Sequence, residues 1–538
     1  MTPQRPSDRW REWRPDDVPA ISGRLAQAAL ALLAVEAVIA VVLRFSTTSL
    51  LWLDEALTVN IAKLPLNQLH AALKRDGAPP LYYAILHVWM QLFGSGDFAV
   101  RSLSGLFSVV TLVVVYFVVR RIWGSEVGIV STAILGASSF ATYYATEVRM
   151  YALVMLLVAL GMAALMWLFE RPNIARAALV ALVAIALEYT HYWSLYLLAV
   201  IGIWLLAAAI ASRDQITRRA SRLGIGALVV AAVAFVPWLP TFLYQSKHTG
   251  TPWALAPSFF VSYTALLHFD DNQAAHLVIS SYHSRILQVI VVVLLTLGVF
   301  GAALAASRIQ IEMRTLRRGR LLGFVVLGTL MMGIVGAHFS GSAYAARYGS
   351  VIYVPLVVLL AVGVRSFKLP WARAGLVLVV VLSMLLTAVH ERTTQRTQAR
   401  QIAAVLNTQA KAGDLVVFCP DQLGPSVTRV VQRNDLRMAA YPRFNNPNII
   451  NWVDYKKALG ATNPSAFAQH IKRDADRHSV WLVWSIGYGG YKLRCGHLAS
   501  DLLHMPGWGG HQWVNAKING FYQSMNLTQF NPADYKGS

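Results

Sequence analysis

The chain has 538 residues, of which 56% are hydrophobic and 14% charged, with a mean hydropathy of +0.48. That balance excludes a soluble globular protein, and repeated apolar runs indicate a polytopic α-helical membrane protein. The formal net charge of +21 is not a nucleic-acid footprint, because Lys and Arg fall mostly in short loops between apolar runs, where the positive-inside bias places them.

Residues 1–23 are polar and carry Arg5, Arg9, Arg11 and Arg14, the composition of a cytosolic tail. The first long apolar run, Leu25–Leu43, is the length of about one crossing. No small-residue cleavage site follows it, so it reads as a retained span and not a signal peptide. Glu36 inside it should face the bundle, since a lipid-facing carboxylate is costly. Two adjacent acids, Asp54 and Glu55, stand at the first exit from the membrane. Either they simply begin the loop, or they supply a catalytic carboxylate at the mouth of a membrane-embedded site. Ala56–Leu73, interrupted by Pro65, reads as a broken helix along the interface.

Pro79-Pro80 opens an apolar segment that ends at Phe93 and, at about fifteen residues, is short for a crossing. If it does not cross, several basic groups share the side of the N-terminal tail: Arg120-Arg121, Arg171 with Arg176, the clusters Arg213–Arg222 and Arg308–Arg320, and Arg365 with Lys368. If it crosses, the tail opposes every other basic loop, against the orientation bias. Residues 46–97 are therefore expected to form one long outer loop. Further spans are expected at Ala99–Val119, Val127–Phe140, Tyr151–Phe169, Ile174–Leu187, Trp193–Ile210, Leu223–Leu239, Ile286–Leu304, Leu321–Ala337, Val351–Val364 and Ala374–Val389. The total is about eleven crossings, which puts the C-terminus outside. Residues 24–390 then form the transmembrane domain. Over 391–538 the long apolar runs stop. Short buried-strand patterns at Asp414–Cys419 and Val480–Trp484 flank a helical pattern at Pro464–Arg477, which argues for a C-terminal extracytoplasmic α/β domain. Cys419 and Cys495 both lie in it and can pair if it faces an oxidising compartment.

The outer ends of the spans gather acids and lone arginines. Glu147 and Arg149 lie in the run Tyr143–Tyr151, Glu188, Tyr189 and His191 join two spans, Asp270-Asp271 lie in a long outer loop, and Arg347-Tyr348 precede a late span. Each has an ordinary role available. An Arg near a span end can be a snorkelling anchor, His191 an aromatic-belt residue, and Asp270-Asp271 a solvated pair. Together they suit one kind of chemistry, in which an acid deprotonates an acceptor hydroxyl while arginines hold a phosphate leaving group.

Five features in combination resemble the GT-C glycosyltransferases over about Arg24–Val389. They are Asp54-Glu55 after the first span, the turn Pro79-Pro80-Leu81, Arg101-Ser102-Leu103-Ser104 at the second span, Glu147-Val148-Arg149-Met150-Tyr151, and Arg347-Tyr348. Within that superfamily the chain is similar to the protein O-mannosyltransferase and aminoarabinose-transferase-like branch (glycosyltransferase family 39-like). The resemblance implies a multi-pass protein of the plasma (inner) membrane, N-terminus cytoplasmic. It would move a mannose- or arabinose-like sugar, with inversion, from a polyprenyl-phosphate carrier to a hydroxyl of a protein, lipid or glycan acceptor. Asp54 takes the role of the first-loop base and Glu147 that of the second-loop acid, while Glu55 orients the loop or an Arg. Some relatives place Lys or His where Ala78 stands here, so the arginines take over the phosphate. Glu147, Arg149, Tyr151, His191, Arg347 and Tyr348 are the expected substrate-binding set. Arginine alone can stabilise a monophosphate leaving group, so no cofactor is required, although Glu147 and Asp54 offer two carboxylates to a divalent ion. A lipid flippase or secondary transporter is the rival reading, suited by Glu36 and the basic inner loops. Against it, the sequence shows neither repeated halves nor broken midplane helices. A membrane-anchored scaffold would need far fewer spans.

Overall fold

The computed structural model describes residues 23–250, 281–300, 302–305, 308–311, 317–340, 345–367, 369–486, 491, 493–517 and 520–532. The tail before residue 23 and the Asp270-Asp271 pair lie outside the described residues. Helix α1 (Gly23–Leu43) is followed by α2 (Leu53–Ala62) and α3 (Leu66–Asp76). Pro65 separates the last two as the residue preceding α3, where its missing N–H costs nothing. Gly77 closes α3 at φ +91°, donating its N–H to Leu73 O, and a Cβ there would meet Thr249 Oγ1 at 2.8 Å. Both constraints call for glycine. Helix α4 (Leu81–Phe93) has 13 residues, a rise of about 20 Å, and ends well short of a bilayer core.

The longer helices α5 (Asp97–Trp123), α8 (Tyr151–Glu170), α9 (Ile174–Glu188) and α10 (Trp193–Ala211) match the apolar runs read from sequence. Val127–Phe140, expected as one straight span, is instead two helices, α6 (Ser125–Ala137) and α7 (Ser139–Ala145), bent by 61°. Ser138 makes the break by accepting the Ala141 N–H at 3.0 Å as the cap of α7. The carbonyls this frees at the end of α6 need partners. Arg44 supplies them, donating to Leu135 O at 2.8 Å and Gly136 O at 2.9 Å. The span expected at Leu223–Leu239 begins earlier. Asp214 accepts the N–H groups of Ile216 and Thr217 and starts α11 (Gln215–Phe235). A single 3-10 turn through Pro237 then leads into α12 (Leu239–His248).

After α13 (Ser281–Phe300) the chain forms a hairpin of β1 (Ala302–Ala305) and β2 (Arg308–Ile311), where the sequence suggested helix to Leu304. Helices α14 (Arg317–Ser340), α15 (Ser350–Val364) and α16 (Pro370–Thr393) complete the bundle. Every residue of α15 is buried, and it packs against α6, α8, α13 and α14 as the central helix. Eight helices among the described residues are long and apolar enough to cross a membrane, and the bent α6–α7 pair makes nine. The expected eleven is not reached by length and composition: α9 has 15 residues and the apolar part described in α13 is Val289–Val299.

Beyond Thr393 the chain builds a five-stranded mixed sheet in the order β4-β3-β5-β7-β6. Strands β3 (Leu415–Cys419), β4 (Arg437–Ala440) and β5 (Val480–Trp484) are mutually parallel neighbours around β3. Strands β6 (Trp508–Val514) and β7 (Asn526–Pro532) add antiparallel to that edge. Helices cover the sheet, and Cys419 at the end of β3 is disulfide-bonded to Cys495. The α/β character and the pairing agree with the sequence reading.

Candidate active site

The two adjacent acids are built into the first turn of α2, where the helix N-terminus favours negative charge. Consecutive residues on a helix point about 100° apart, and here that separates two roles. Glu55 turns inward and is fully buried. Arg101 grips it with Nε on Oε1 at 2.7 Å and Nη2 on Oε2 at 2.6 Å. Val148 N–H donates to Oε1 at 3.1 Å, Trp52 N–H to Oε2 at 3.4 Å, and Arg396 Nη1 lies 3.6 Å away. A carboxylate so engaged has no lone pair left for a substrate proton. It joins the first loop, α5, the Glu147–Arg149 turn and the start of the C-terminal part at one point.

Asp54 faces the other way and keeps 17% of its side chain exposed. Its Oδ2 lies 3.5 Å from Arg347 Nη1, which projects from the 3-10 turn Ala346–Gly349 just before α15. Its own backbone carbonyl accepts from Thr58 Oγ1 at 2.7 Å. Arg149 reaches the same place from the α7–α8 turn, with Nη1 on Thr58 Oγ1 at 3.0 Å and Tyr83 OH at 3.3 Å. The Tyr83 hydroxyl in turn donates to Asp76 Oδ2 at 2.9 Å. Burial opposes the charge on Arg149, but Tyr83, Asp54, Tyr151 and Asp76 outweigh it and hold the guanidinium firmly protonated. Its Nε is buried without a hydrogen-bond partner, so the residue keeps a donor in reserve.

Glu147 is buried beside this pair. Trp52 Nε1 donates to its Oε1 at 3.0 Å, while Oε2 has no hydrogen-bond partner. Burial raises its carboxyl to about 7; Arg396 opposes the rise, and Glu55 and Asp54 add to it. Tyr151, His191 and Tyr348 form an aromatic wall. The His191 ring is 5.7 Å from Tyr151 and 5.4 Å from Tyr348, centroid to centroid. Burial, with Arg149 and Arg347 nearby, lowers His191 to about 3. The ring is therefore neutral at physiological pH. Since Nδ1 accepts the Trp193 N–H at 3.2 Å, the proton sits on Nε2.

All eight sequence-chosen residues thus come to one end of the bundle, with Asp54, Arg149 and Arg347 at its accessible centre. Sequence reasoning missed Asp76, Tyr83 and Thr58, which hold Arg149, and Trp52 and Arg396, which hold the two buried glutamates. Arg396 also donates to Thr146 O at 2.9 Å and Oγ1 at 2.8 Å, so the C-terminal part locks the Glu147 turn. Asp76, three residues before Pro79-Pro80, carried a signal as a lone acid beside the turn; the others carried none. Among the described residues no group of three His, Cys, Asp or Glu is placed to hold a metal ion. Asp54 and Glu147 alone make a short donor set for a divalent cation, which takes six or more oxygens.

Comparison with known proteins adds a family match over part of the chain and a fold. Residues 77–240 match the family model described as dolichyl-phosphate-mannose-protein mannosyltransferase. No curated protein matches the chain. Among solved structures the chain is similar to ArnT from Cupriavidus metallidurans bound to undecaprenyl phosphate. The TM-score is 0.59 at 11% identity, over 95% of this chain and 100% of that one. It is also similar to the arabinofuranosyltransferase AftD from Mycobacteria, with TM-score 0.52 and 15% identity over 97% of this chain and 41% of that one. The oligosaccharyltransferase of Archaeoglobus fulgidus, tethered to an acceptor peptide, gives 0.53 and 10% over 87% and 72%. The match to the family model is confined to residues 77–240, and over most of its length the chain shares the fold of these solved transferase structures.

Proposed function

We propose that this protein is an inverting glycosyltransferase that moves a sugar from a polyprenyl-phosphate carrier to an acceptor hydroxyl at the outer face of the plasma (inner) membrane. The observation that carries the reading is one accessible carboxylate, Asp54, with Arg347 at 3.5 Å and a second arginine, Arg149, held nearby on Thr58 from a separate element. The Asp54 carboxylate takes the proton of the acceptor hydroxyl as its oxygen bonds to the anomeric carbon. The bond from that carbon to the phosphate oxygen breaks on the opposite face, and the electron pair leaves with the phosphate. Arg347 and Arg149 meet the charge that develops there, in a site where burial makes them worth more than in water. The oxocarbenium-like transition state is that of glycosyl chemistry generally. Glu55 and Glu147 act by position: one fixes Arg101 and the first loop, the other sits under Trp52. The similarity to a structure holding undecaprenyl phosphate supports a polyprenyl-phosphate donor, and the basic loops read from sequence support a C-terminal part outside the cytoplasm.

Radiolabel transfer from a panel of polyprenyl-phosphate sugars, in membranes carrying this protein, tests the reading. Transfer from one donor above membranes lacking the protein is the expected result. No transfer from any donor, with the protein present and folded in those membranes, contradicts it.

A further inference from the structure

Away from Asp54 lies a second feature that the mechanism does not use. A cleft of about 1330 Å³ opens between α2–α3 and the C-terminal part. Amide side chains line both walls: Asn60, Asn67 and Gln68 on one, Asn445, Asn446 and Asn448 on the other. The walls are tied together. Asn60 Nδ2 donates to Asn448 O at 2.8 Å, Trp452 N–H to Arg75 O at 3.1 Å, and Arg429 to Asp97 at 2.8 Å. The cleft is therefore preformed, with little ordering left to be done on binding. Asn445 Oδ1 is buried with no hydrogen-bond partner. Lys63 and Arg75 also line it and make no ion pair among the described residues. Asn60 lies six positions along α2 from Asp54, hence on a different face of the helix, and Lys63 is the residue that caps the far end of α2. The cleft and the candidate active site are therefore separate, although the cleft begins at Leu50-Leu51, just upstream of Asp54.

We propose that this cleft is an exosite for a glycan, holding the polyhydroxyl chain of the acceptor while its end reaches Asp54. Its role as an acceptor site rests on the glycosyltransferase reading; its affinity for carbohydrate does not. A carboxamide offers a donor and an acceptor side by side, which matches a sugar's neighbouring hydroxyls, each of them both donor and acceptor. A peptide that adds as a strand would need an open strand edge. The edge strands β4 and β6 contribute no residue to this cleft. Lys63 and Arg75 give an acidic substituent on the glycan, a phosphate or carboxylate, a place to pair.

The test is direct binding to the full-length protein in detergent, with linear oligosaccharides of mannose and of arabinose as probes, each with and without a phosphate. The variant combines Lys63→Ala, Asn67→Ala, Gln68→Ala and Arg75→Ala, all at exposed positions where substitution leaves folding intact. Wild type should bind at least one probe, and the fourfold variant should bind it roughly ten- to a hundredfold more weakly, the loss expected for a few hydrogen bonds. Asp54→Asn should bind it as wild type does, so the exosite can stand even if Asp54 is not the base. Equal binding by wild type and fourfold variant overturns the proposal. So does failure of every oligosaccharide to bind while a peptide or anionic lipid vesicle does.

Discussion

Two neighbouring carboxylates meet different surroundings because adjacent helix positions point about 100° apart. Glu55 is wrapped by Arg101, two backbone N–H groups and Arg396. Glu55→Gln removes the charge and leaves buried guanidinium groups short of a partner, a loss of about 3–5 kcal/mol for a buried pair. The expected outcome is a lower unfolding temperature in detergent, with transfer per folded molecule much less affected than in Asp54→Asn. A variant with normal stability and no transfer would make Glu55 the base instead. Glu147 gives a pH signature. Its folded carboxyl titrates at about 7 against an ordinary 4.5, so between those values the folded state holds more of its proton than the unfolded one. The stability it contributes is complete below 4.5 and is lost as the pH rises through 7. Glu147→Gln should flatten the fall in unfolding temperature across that window; an unchanged fall would assign it to another group.

Elements were legible where one physical signal dominated. Hydropathy located the long helices, and Pro65 and Pro79-Pro80 marked where α3 and α4 begin. The Ser138 break was hidden because both sides of it are apolar, and its partner Arg44 lies far away in sequence. The early start of α11 was hidden because a basic cluster, read as a loop, is carried on a helix capped by Asp214. The sheet was half legible: β3 and β5 are buried apolar runs, whereas β6 is Gly-containing and mostly exposed. The short α4 leads to a prediction about sidedness. Single cysteines at Gln68 and Gly96, on either side of it, should both react with an impermeant thiol reagent from outside the cell, and the bonded Cys419 and Cys495 should stay silent. Labelling of one without the other would mean that α4 crosses.

At the scale of the molecule, the C-terminal part completes the site. Arg396 reaches Glu55 and Thr146, and Arg429 holds Asp97 at the start of α5. Partners more than 200 residues apart leave no pattern in a single sequence, which is why this half of the support was invisible while the Asp54-Glu55 and Glu147–Arg149 runs were not. The Cys419–Cys495 bond closes a loop with a separation of 76 residues and should stabilise the C-terminal part by about 4 kcal/mol. Replacing both cysteines with serine should lower the unfolding temperature, whereas free thiols in unreduced, denatured wild type would show that the bond does not form.

If Asp54 takes the proton from the acceptor hydroxyl, Asp54→Asn should slow transfer without disturbing the fold. Asparagine keeps the shape but cannot accept that proton. The measurement is transfer rate alongside donor affinity, in purified protein. Transfer should fall by roughly 10²–10⁴-fold, the usual size of a general-base effect. Donor affinity should change far less, because the lost interaction belongs to the transition state. A folded Asp54→Asn protein that turns over at the wild-type rate would mean that Asp54 is not the base.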